Sequence, residues 1–528
     1  MRIKPAVLFG LLLVYIFFRG IGDHGLIDSV EGVNASVAAH MAGSGNYFVP
    51  KIGTALSSGS TMGSWWLSAL GLKLFGWGEF AVRFFSALSG LIMVLASAKA
   101  ARPYADDTPR KSWLAASICA GMTLSFIVSQ LASPHSLYSC LMGLSMSGIV
   151  LSGKSKRNLV LAHISIALAF IAYGFEGLML PMLAVLIYSI ISEDWDLMRD
   201  FFTWPGGIII TLVISCAYFV ALIAENPEII HFMRCQNHEY TFGGTWGILI
   251  LLFTGFLPFH GFIVRAVYEV FPREFPVKKS YELFMLVWAL VFALSAVLSR
   301  DYLAMSACVP AVSALLGRKL DIWLTQRSFK SLRYAVMLNM IFAIPFLYLL
   351  MPFTVHNFPM IQNSMMSLIP WGIAQGVFIF ASWYYTKTRQ PEKFARNVLA
   401  AALICLMPLA GIFNLTADLY SLRNPGMRLR DLVKGNDTII QYGVNHPSMY
   451  FYTLRNSRII DADFTPGVAE RKFESKASDI NKLWGGKNRV FLLMPSNFQS
   501  EEHLPQNIFH ISEGEGLLLL SNQFLSNQ

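Results

Sequence analysis

The fold of this chain is decided by apolar stretches such as Ala81-Val-Arg-Phe-Phe-Ser-Ala-Leu-Ser-Gly-Leu-Ile-Met-Val-Leu-Ala-Ser-Ala98, in which Arg83 is the only charged residue. A transmembrane helix needs about 20 predominantly apolar residues, so this stretch is close to the required length. Comparable stretches recur along the chain and predict 13 membrane spans, at residues 4–18, 81–98, 113–131, 136–153, 158–174, 177–192, 206–224, 246–264, 281–299, 302–317, 334–353, 366–386 and 397–415.

The composition agrees with a membrane protein. Of 528 residues, 55% are hydrophobic and only 14% are charged, with a mean hydropathy of +0.50. A soluble domain usually carries about 25% charged residues, so a water-soluble globule of this length is excluded. Disordered chains and disulfide-rich scaffolds are excluded as well, because they need far more polar residues or cysteines. The sequence therefore predicts a polytopic α-helical membrane protein.

The distribution of basic residues predicts the orientation. If the N-terminus lies in the cytoplasm, the predicted inside segments hold 23 Lys and Arg, and the predicted outside segments before the last span hold five. Basic residues accumulate in cytoplasmic loops, so this asymmetry supports an odd number of spans. The net charge of +9 is then mainly a topological signal, and a nucleic-acid partner is not expected.

Two predicted outside regions are large. Residues 19–80 contain two predicted helices, at 28–41 and 61–75, and the aromatic residues of the second are expected at headgroup level. Residues 416–528 lose the apolar stretches and gain short strand-like ones, at 438–442, 449–454, 489–494 and 516–521, with a helical segment at 469–483. We therefore predict a transmembrane domain at 1–415 and a soluble α/β domain at 416–528.

The first outside loop carries the leading candidates for chemistry. Asp28 and Glu31 are three residues apart and share one face of a helix that begins at Asp28. Two such carboxylates can supply a general base and hold a cation or an acceptor amine. The spacing alone favours another interpretation, in which Asp28 or Ser29 caps the helix and Glu31 lies in its first turn.

Other candidates lie at predicted outer ends of spans. Arg234 and His238 share one outside loop and can bind a lipid phosphate, although such loops are usually only solvated. Arg300 can bind a lipid-linked phosphate or reach towards headgroups. His135 is a candidate contact of donor or acceptor, or an interfacial hydrogen-bonding residue. Glu176 is interpreted as part of a loop.

An ordered series of short motifs resembles the bacterial aminoarabinose transferases of lipid A, which are grouped with the protein O-mannosyltransferases among C-type (GT-C) glycosyltransferases. The motifs keep similar spacing through most of the predicted membrane part. They are Leu26-Ile-Asp-Ser-Val-Glu-Gly-Val-Asn-Ala-Ser-Val-Ala-Ala-His-Met41, Gly45-Asn-Tyr-Phe-Val-Pro50, Trp66-Leu-Ser-Ala-Leu70, Leu74-Phe-Gly76, Glu79-Phe-Ala-Val-Arg83, Gly177-Leu-Met-Leu-Pro181 and Gly255-Phe-Leu-Pro258.

The resemblance implies a GT-C fold in the bacterial inner membrane, with the C-terminal domain in the periplasm. It implies a polyprenyl-phosphate-linked sugar as donor, a glycolipid or protein as acceptor, and transfer at the outer face among membrane lipids. In that family an acidic residue of the first loop is thought to act as a base or with a metal, so a divalent cation is an open expectation. Arg83 matches a retained family position and is a candidate phosphate contact or a structural residue.

Several family positions are changed in this chain. The Asp of the family's Asp-Glu pair falls on Val30, a Glu-Lys-Pro-Pro motif falls on residues 59–62, an expected carboxylate falls on His135, and an expected lysine falls on Tyr173. Valine cannot accept a proton or bind a cation. Three explanations remain open: Asp28 has taken over, the substrates differ, or the chain is an inactive relative that binds lipid or partners a transferase.

The leading hypothesis is a membrane glycosyltransferase with Asp28 as base or cation ligand and Glu31 as its helper. Arg83, Arg234, His238, Arg300 and His135 are the predicted contacts of donor phosphate and acceptor. A transporter is disfavoured, because the acidic residues cluster at the outer ends of spans rather than in pairs mid-membrane.

Overall fold

The fold was analysed in a computed structural model, which describes residues 5–53, 55–57, 62–104, 107–225, 227, 254–271, 279–345, 365–419, 421–460, 483–486, 488–496, 508–514 and 517–524. The chain forms two compact units. The first, called here the helical unit, comprises Met1–Ile21, Arg83–Ala221 and Tyr240–Leu415. The second, called the mixed unit, comprises Gly22–Val82, Leu222–Glu239 and Thr416–Gln528. The functional division at residue 415 stays a prediction.

Long apolar helices build the helical unit. Six described helices are long and apolar enough to cross a membrane, or seven if the pair Pro109–Gly121 and Thr123–Gln130, bent by 61°, is one span. The six are Glu79–Ala100, Lys156–Tyr173, Phe175–Ser192, Pro205–Glu225, Tyr281–Leu298 and Tyr302–Thr325, the last beginning as the 3₁₀-helix Tyr302–Cys308. The chain is therefore a membrane protein with several apolar helices.

The remaining helices of this part of the chain also coincide with predicted spans or flank them. They are Pro5–Phe18, Pro134–Val150, Trp195–Thr203, His260–Val270, Phe329–Pro345, Met365–Lys387 and Pro391–Leu419. Residues 246–253 of the predicted span 246–264 lie outside the described residues. Glu176, predicted in a loop, instead lies in the first turn of the helix Phe175–Ser192.

A five-stranded sheet forms the core of one part of the mixed unit, in the order β4-β3-β5-β7-β6. Its strands are β3 Thr438–Tyr442, β4 Ser457–Ile460, β5 Val490–Pro495, β6 Phe509–Gly514 and β7 Leu517–Ser521, and a small β1–β2 pair lies at Lys51–Ile52 and Ala55–Leu56. Strand β3 is parallel to β4 and β5, while β7 is antiparallel to β5 and β6. Continuous apolar runs such as Val490–Pro495 suit a strand buried on both faces.

Two sequence-based assignments in the mixed unit change, and a third is not tested. The segment predicted as a strand at 449–454 is the helix Ser448–Thr453, which follows Pro447. The helix predicted from Asp28 starts as a π-helix, Asp28–Gly32, and continues as the α-helix Val33–Ser44. The predicted helix at 469–483 lies outside the described residues except for its last residue. The other helices of this unit are Met62–Phe75 and Arg423–Leu432.

Trp65 is buried rather than exposed at headgroup level. Its side chain is 1% exposed, and its indole N–H donates to Oδ1 of Asn34 at 2.6 Å. The helices Val33–Ser44 and Met62–Phe75 pack against each other, so the indole is placed in the interior of this unit. Leu70 and Phe75, on the same helix, are exposed as expected for an interfacial segment.

Candidate functional site

The first-loop acidic residues lie in the π-helical turn that precedes the helix Val33–Ser44. Glu31 is fully buried, and its carboxylate accepts a hydrogen bond from the backbone N–H of Ile27 at 2.8 Å. Glu31 therefore satisfies one of the N–H groups that a helix start leaves without a partner. The carboxylate of Asp28 bonds to His446 and Ser448 rather than to an N–H of this turn, so the prediction that Asp28 caps this helix is wrong. The side chain of Ser29, the other predicted cap, lies outside the described residues. Glu31 lies in the first turn, as that interpretation predicts.

Asp28 instead contacts a segment more than 400 residues away. Its Oδ1 accepts from the backbone N–H of Ser448 at 2.8 Å, and its Oδ2 lies 2.5 Å from Nδ1 of His446. Ser448 is the first residue of the helix Ser448–Thr453, so the carboxylate caps a helix N-terminus, where negative charge is favoured. Gly32 makes room for this contact, because a Cβ there would collide with Oδ1 of Asp28.

His446 is held from both its backbone and its ring. Its N–H donates to Oε1 of Gln441 at 2.7 Å, and the buried Gln441 also donates to Oγ of Ser457 at 2.7 Å. The imidazole side chain is 26% exposed. An ionised carboxylate only accepts hydrogen bonds, so Asp28 favours the tautomer with the hydrogen on Nδ1 and the lone pair on Nε2. This is the arrangement of a carboxylate-oriented general base.

A second set of contacts fixes the first loop to the helices at 423–453. The hydroxyl of Tyr452 accepts from the N–H of Leu26 at 2.8 Å and donates to the carboxylate of Glu79 at 3.3 Å. The same carboxylate pairs with Nε of Arg423 at 3.3 Å. These contacts restrict the movement of the loop that carries Asp28.

His135 and Asp301 form a buried polar cluster in the helical unit. Nε2 of His135 lies 3.0 Å from both carboxylate oxygens of Asp301, and its Nδ1 lies 3.3 Å from Oγ of Ser133. The hydroxyl of Tyr173 also donates to Asp301, and the backbone N–H of Ala304 does so at 3.4 Å. The side chains of His135 and Asp301 are 0% and 1% exposed, so this pair is shielded from water.

The remaining predicted residues are not brought together by the described structure. Arg83 is fully buried and donates from Nη1 to the carbonyl oxygen of Ile21 at 2.9 Å, which is a structural contact. Arg300 is exposed in a turn, with a φ of 58°. Arg234 and His238 lie outside the described residues. Val30 is buried.

The described residues include no group of three or more His, Cys, Asp or Glu placed to hold a metal ion. Asp28 and Glu31 use carboxylate oxygens to hold Ser448 and Ile27. These two carboxylates therefore do not form a ligand set for a divalent cation in the described part of the chain. Its involvement stays an untested prediction.

Two residues of these clusters were not predicted. His446 lies in the sequence Val444-Asn-His-Pro447, whose local pattern does not single out the histidine. Asp301 follows the predicted site residue Arg300 in the sequence. Asp301 directly precedes the helix Tyr302–Cys308, and its carboxylate accepts a hydrogen bond from the N–H of Ala304. An aspartate at a helix start is a local signal from which this capping role can be predicted.

Known proteins resemble the chain in sequence. The family model described as dolichyl-phosphate-mannose-protein mannosyltransferase matches residues 60–219. An undecaprenyl phosphate-alpha-4-amino-4-deoxy-L-arabinose arabinosyl transferase of Pseudomonas fluorescens Pf0-1 is 25% identical over 60% of this chain and 59% of its own length. A second, from strain Pf-5, is 27% identical over 48% and 47%. The chain thus spans about half the length of these curated relatives.

The fold has a solved counterpart over nearly its whole length. The crystal structure of ArnT from Cupriavidus metallidurans in the apo state covers 98% of both chains, with a TM-score of 0.80 and 17% identity. The same protein bound to undecaprenyl phosphate gives a TM-score of 0.78 at the same coverage. The chain therefore has a GT-C fold like that of ArnT, and in sequence it resembles the undecaprenyl phosphate–aminoarabinose transferases.

Proposed function

We propose that the chain is an integral membrane glycosyltransferase that moves a sugar from a polyprenyl-phosphate donor to an envelope glycolipid. The supporting observation is the fold similarity over 98% of both chains to a protein crystallised with undecaprenyl phosphate. The curated relatives, named as undecaprenyl phosphate–aminoarabinose transferases, support the same class of donor. The alternative acceptor is a protein, and a transfer assay that offers both acceptors distinguishes the two.

In the proposed reaction, an acceptor hydroxyl or amine attacks the anomeric carbon of the donor sugar. The new bond forms as the bond between that carbon and the phosphate oxygen breaks, and polyprenyl phosphate leaves with the bonding electrons. The proton lost by the acceptor passes to the enzyme base. No oxidant or reductant takes part.

We assign the base to His446, with Asp28 as the residue that positions it. Nε2 accepts the acceptor proton, and the carboxylate of Asp28 stabilises the resulting imidazolium through Nδ1–H. Such general-base help is typically worth about 10²–10⁴-fold in rate. Glu31, which is buried and bonded to Ile27, positions the turn that carries Asp28.

This assignment accounts for the loss of an acidic residue at Val30. The carboxylate of Asp28, two residues before Val30, acts through the imidazole of His446. The atom that accepts the proton is therefore a ring nitrogen rather than a carboxylate oxygen. The changed positions 59–62 remove an acidic and a basic residue from the motif that the resemblance implies. Donor phosphate is therefore expected to depend on Arg234, His238 and Arg300 instead.

We also propose a membrane topology. The chain crosses the bacterial inner membrane 13 times, with the N-terminus in the cytoplasm and a soluble α/β domain at 416–528 in the periplasm. The basic-residue asymmetry supports this orientation. The reaction then takes place at the outer face of the membrane.

Transfer by the purified full-length protein tests the proposal. The protein in lipid nanodiscs is incubated with isotope-labelled undecaprenyl phosphate–aminoarabinose and either lipid A or a periplasmic protein extract, and products are identified by mass spectrometry. We expect label in lipid A and release of undecaprenyl phosphate in equal amounts. The absence of transfer to both acceptors, with the relative from Pseudomonas fluorescens active in parallel, would reject the proposed activity with this donor.

A second candidate function is a non-catalytic subunit that binds polyprenyl phosphate. The observation that favours it is the structural use of both first-loop carboxylates, one on Ser448 and one on Ile27. It predicts that polyprenyl-phosphate lipid co-purifies with the protein without turnover. Transfer by the pure protein excludes it.

A further inference from the structure

An open cleft of about 890 Å³ lies in the helical unit beside two turns that each join a pair of helices. Four cationic side chains line it, and none of its described lining residues is acidic. They are Arg327, Lys330, Arg333 and Arg389, called here the basic cleft. All four are exposed.

The cations of the basic cleft have no carboxylate within ion-pair distance in the part of the chain that the structure describes. Other cations of the same predicted membrane side do have partners. Nε of Arg110 lies 2.5 Å from Oδ1 of Asp321. Nε of Arg318 lies 2.7 Å from Oε1 of Glu282, and Nη2 of Arg265 lies 2.9 Å from Oε1 of Glu269. Four neighbouring positive charges repel one another, so their proximity favours an external anion.

Apolar stripes run from the basic cleft along two helices that pack against each other, Phe329–Pro345 and Met365–Lys387. The first stripe consists of Tyr334, Met337 and Ile341, at helical spacing, and Ile341 is 61% exposed. The second is longer, with Phe380 at 65% exposure, and consists of Ile369, Ile373, Val377, Phe380 and Tyr384. Such stripes suit contact with acyl chains.

Aromatic residues mark where the stripes meet the cleft. Trp383 and Tyr384 lie six and five residues before Arg389 in the sequence. Nζ of Lys387, near the end of the same helix, lies 5.0 Å from the ring centre of Trp383. Tyr334 lines the cleft itself. Trp and Tyr concentrate at the membrane–water interface, so we expect the four cations at headgroup depth.

We propose that the basic cleft binds the phosphate headgroup of an anionic glycerophospholipid, whose acyl chains lie along the two apolar stripes. The positive-inside rule places the cleft at the cytoplasmic face, where basic pockets between membrane helices bind anionic headgroups. This site is separate from the proposed transfer reaction and does not depend on it. Its ligand is a structural or regulatory lipid of the bilayer.

Native mass spectrometry of the full-length protein in detergent tests the site. The protein is titrated with phosphatidylglycerol, and with phosphatidylethanolamine of the same acyl chains as the control, because its zwitterionic headgroup has a phosphate but no net charge. A variant with Arg327, Lys330, Arg333 and Arg389 all changed to Gln is compared with a variant with Lys154, Lys156, Arg157 and Arg199 changed to Gln. Both variants lose four exposed charges from the predicted cytoplasmic side.

We expect the cleft variant to bind phosphatidylglycerol at least tenfold more weakly, since each basic residue near the membrane surface strengthens the attraction of an anionic lipid. The control variant should keep the wild-type affinity, and phosphatidylethanolamine should bind weakly to all three proteins. If the four-residue variant unfolds, the pair Lys330→Gln and Arg333→Gln is used, with a smaller loss of the same sign.

Three results would overturn the site. One is equal binding of phosphatidylglycerol by the wild type and the cleft variant. Another is an equal loss in the control variant, which would show only a general charge effect. The third is displacement of the lipid by millimolar inorganic phosphate, which would assign the cleft to a soluble anion.

Discussion

The carboxylate of Asp28 lies 2.5 Å from Nδ1 of His446, although 418 residues separate them in sequence. The contact joins the first outside loop to the segment before the helix Ser448–Thr453, within one compact unit. It gives the acidic residue of the loop a partner whose chemistry the local sequence does not show. The proposed mechanism depends on this relationship.

If Asp28 acts through His446, the two residues should behave as one functional group. Asp28→Asn and His446→Gln should each lower kcat/KM by about 10²–10⁴-fold. The double variant should be no worse than the more impaired single variant, since residues that act as a unit are strongly non-additive. Initial rates of sugar transfer at several donor concentrations measure this, and losses that multiply in the double variant would separate the two roles.

The buried pair Asn34 and Trp65 should contribute to stability rather than to turnover. Asn34→Leu leaves the indole N–H of Trp65 buried without its acceptor, which should cost about 1–3 kcal/mol. Adding Trp65→Phe removes the donor as well and should recover part of that loss. Thermal unfolding of the purified proteins checks this order, and a double variant less stable than the sum of the single changes would contradict it.

The buried contact of His135 with Asp301 should need one imidazole and one carboxylate, whichever of the two positions carries each. His135→Asp places a second acidic group in the buried site of Asp301 and removes its imidazole partner, which should destabilise the protein by roughly 3–5 kcal/mol. The exchange His135→Asp with Asp301→His restores one acidic and one imidazole group and should recover much of the stability. Melting temperatures in one detergent compare the three proteins; a double variant as unstable as His135→Asp would exclude a specific pair.

Asp107 should make stability depend on acid pH. Burial by itself raises the pKa of Asp107, but hydrogen bonds from Lys111 and from the N–H of Tyr104, with the charge of Arg318, outweigh burial and lower the pKa below its ordinary value. A carboxylate with a lowered folded-state pKa stabilises the protein above its unfolded-state pKa, and this contribution disappears as the pH falls through the folded-state pKa.

The stability difference between the wild type and Asp107→Asn should therefore be constant from about pH 7 to pH 5 and shrink below about pH 4. Thermal unfolding of both proteins across this range measures it. Asp196→Asn is the matched control, because Asp196 is 79% exposed and its 3.6 Å contact with Arg199 is at the surface. A difference that grows towards low pH would reverse the assigned sign.

Local patterns predicted most elements that depend on short-range chemistry. The strand at Thr438–Tyr442 has the predicted ends, and the apolar stretch at 81–98 forms the centre of the helix Glu79–Ala100. Hydrophobic length and strand composition are properties of contiguous residues, so the sequence displays them directly. The fold class followed from the same property repeated along the chain.

Long-range partners could not be predicted in the same way. The aromatic residues at 449–453 are typical of a strand, yet they form a helix whose first N–H is bound by Asp28 from 420 residues away. The sequence predicts Trp65 at the membrane interface, because it does not show that Asn34, on another helix, accepts a hydrogen bond from the indole. Both wrong predictions concern residues whose polar groups form hydrogen bonds with residues far away in the sequence but within the same compact unit.

Chemical rescue of a His446→Ala variant tests the central claim most directly. Transfer from undecaprenyl phosphate–aminoarabinose is measured with and without added imidazole, beside His40→Ala as a matched control on another partly buried histidine of the same unit. We predict that His446→Ala loses at least 100-fold in rate, within the usual range for a general base, and that imidazole restores activity in a concentration-dependent way. Wild-type rates in His446→Ala without imidazole, or no response to imidazole in a folded and lipid-binding variant, would contradict the assignment of His446 as the base.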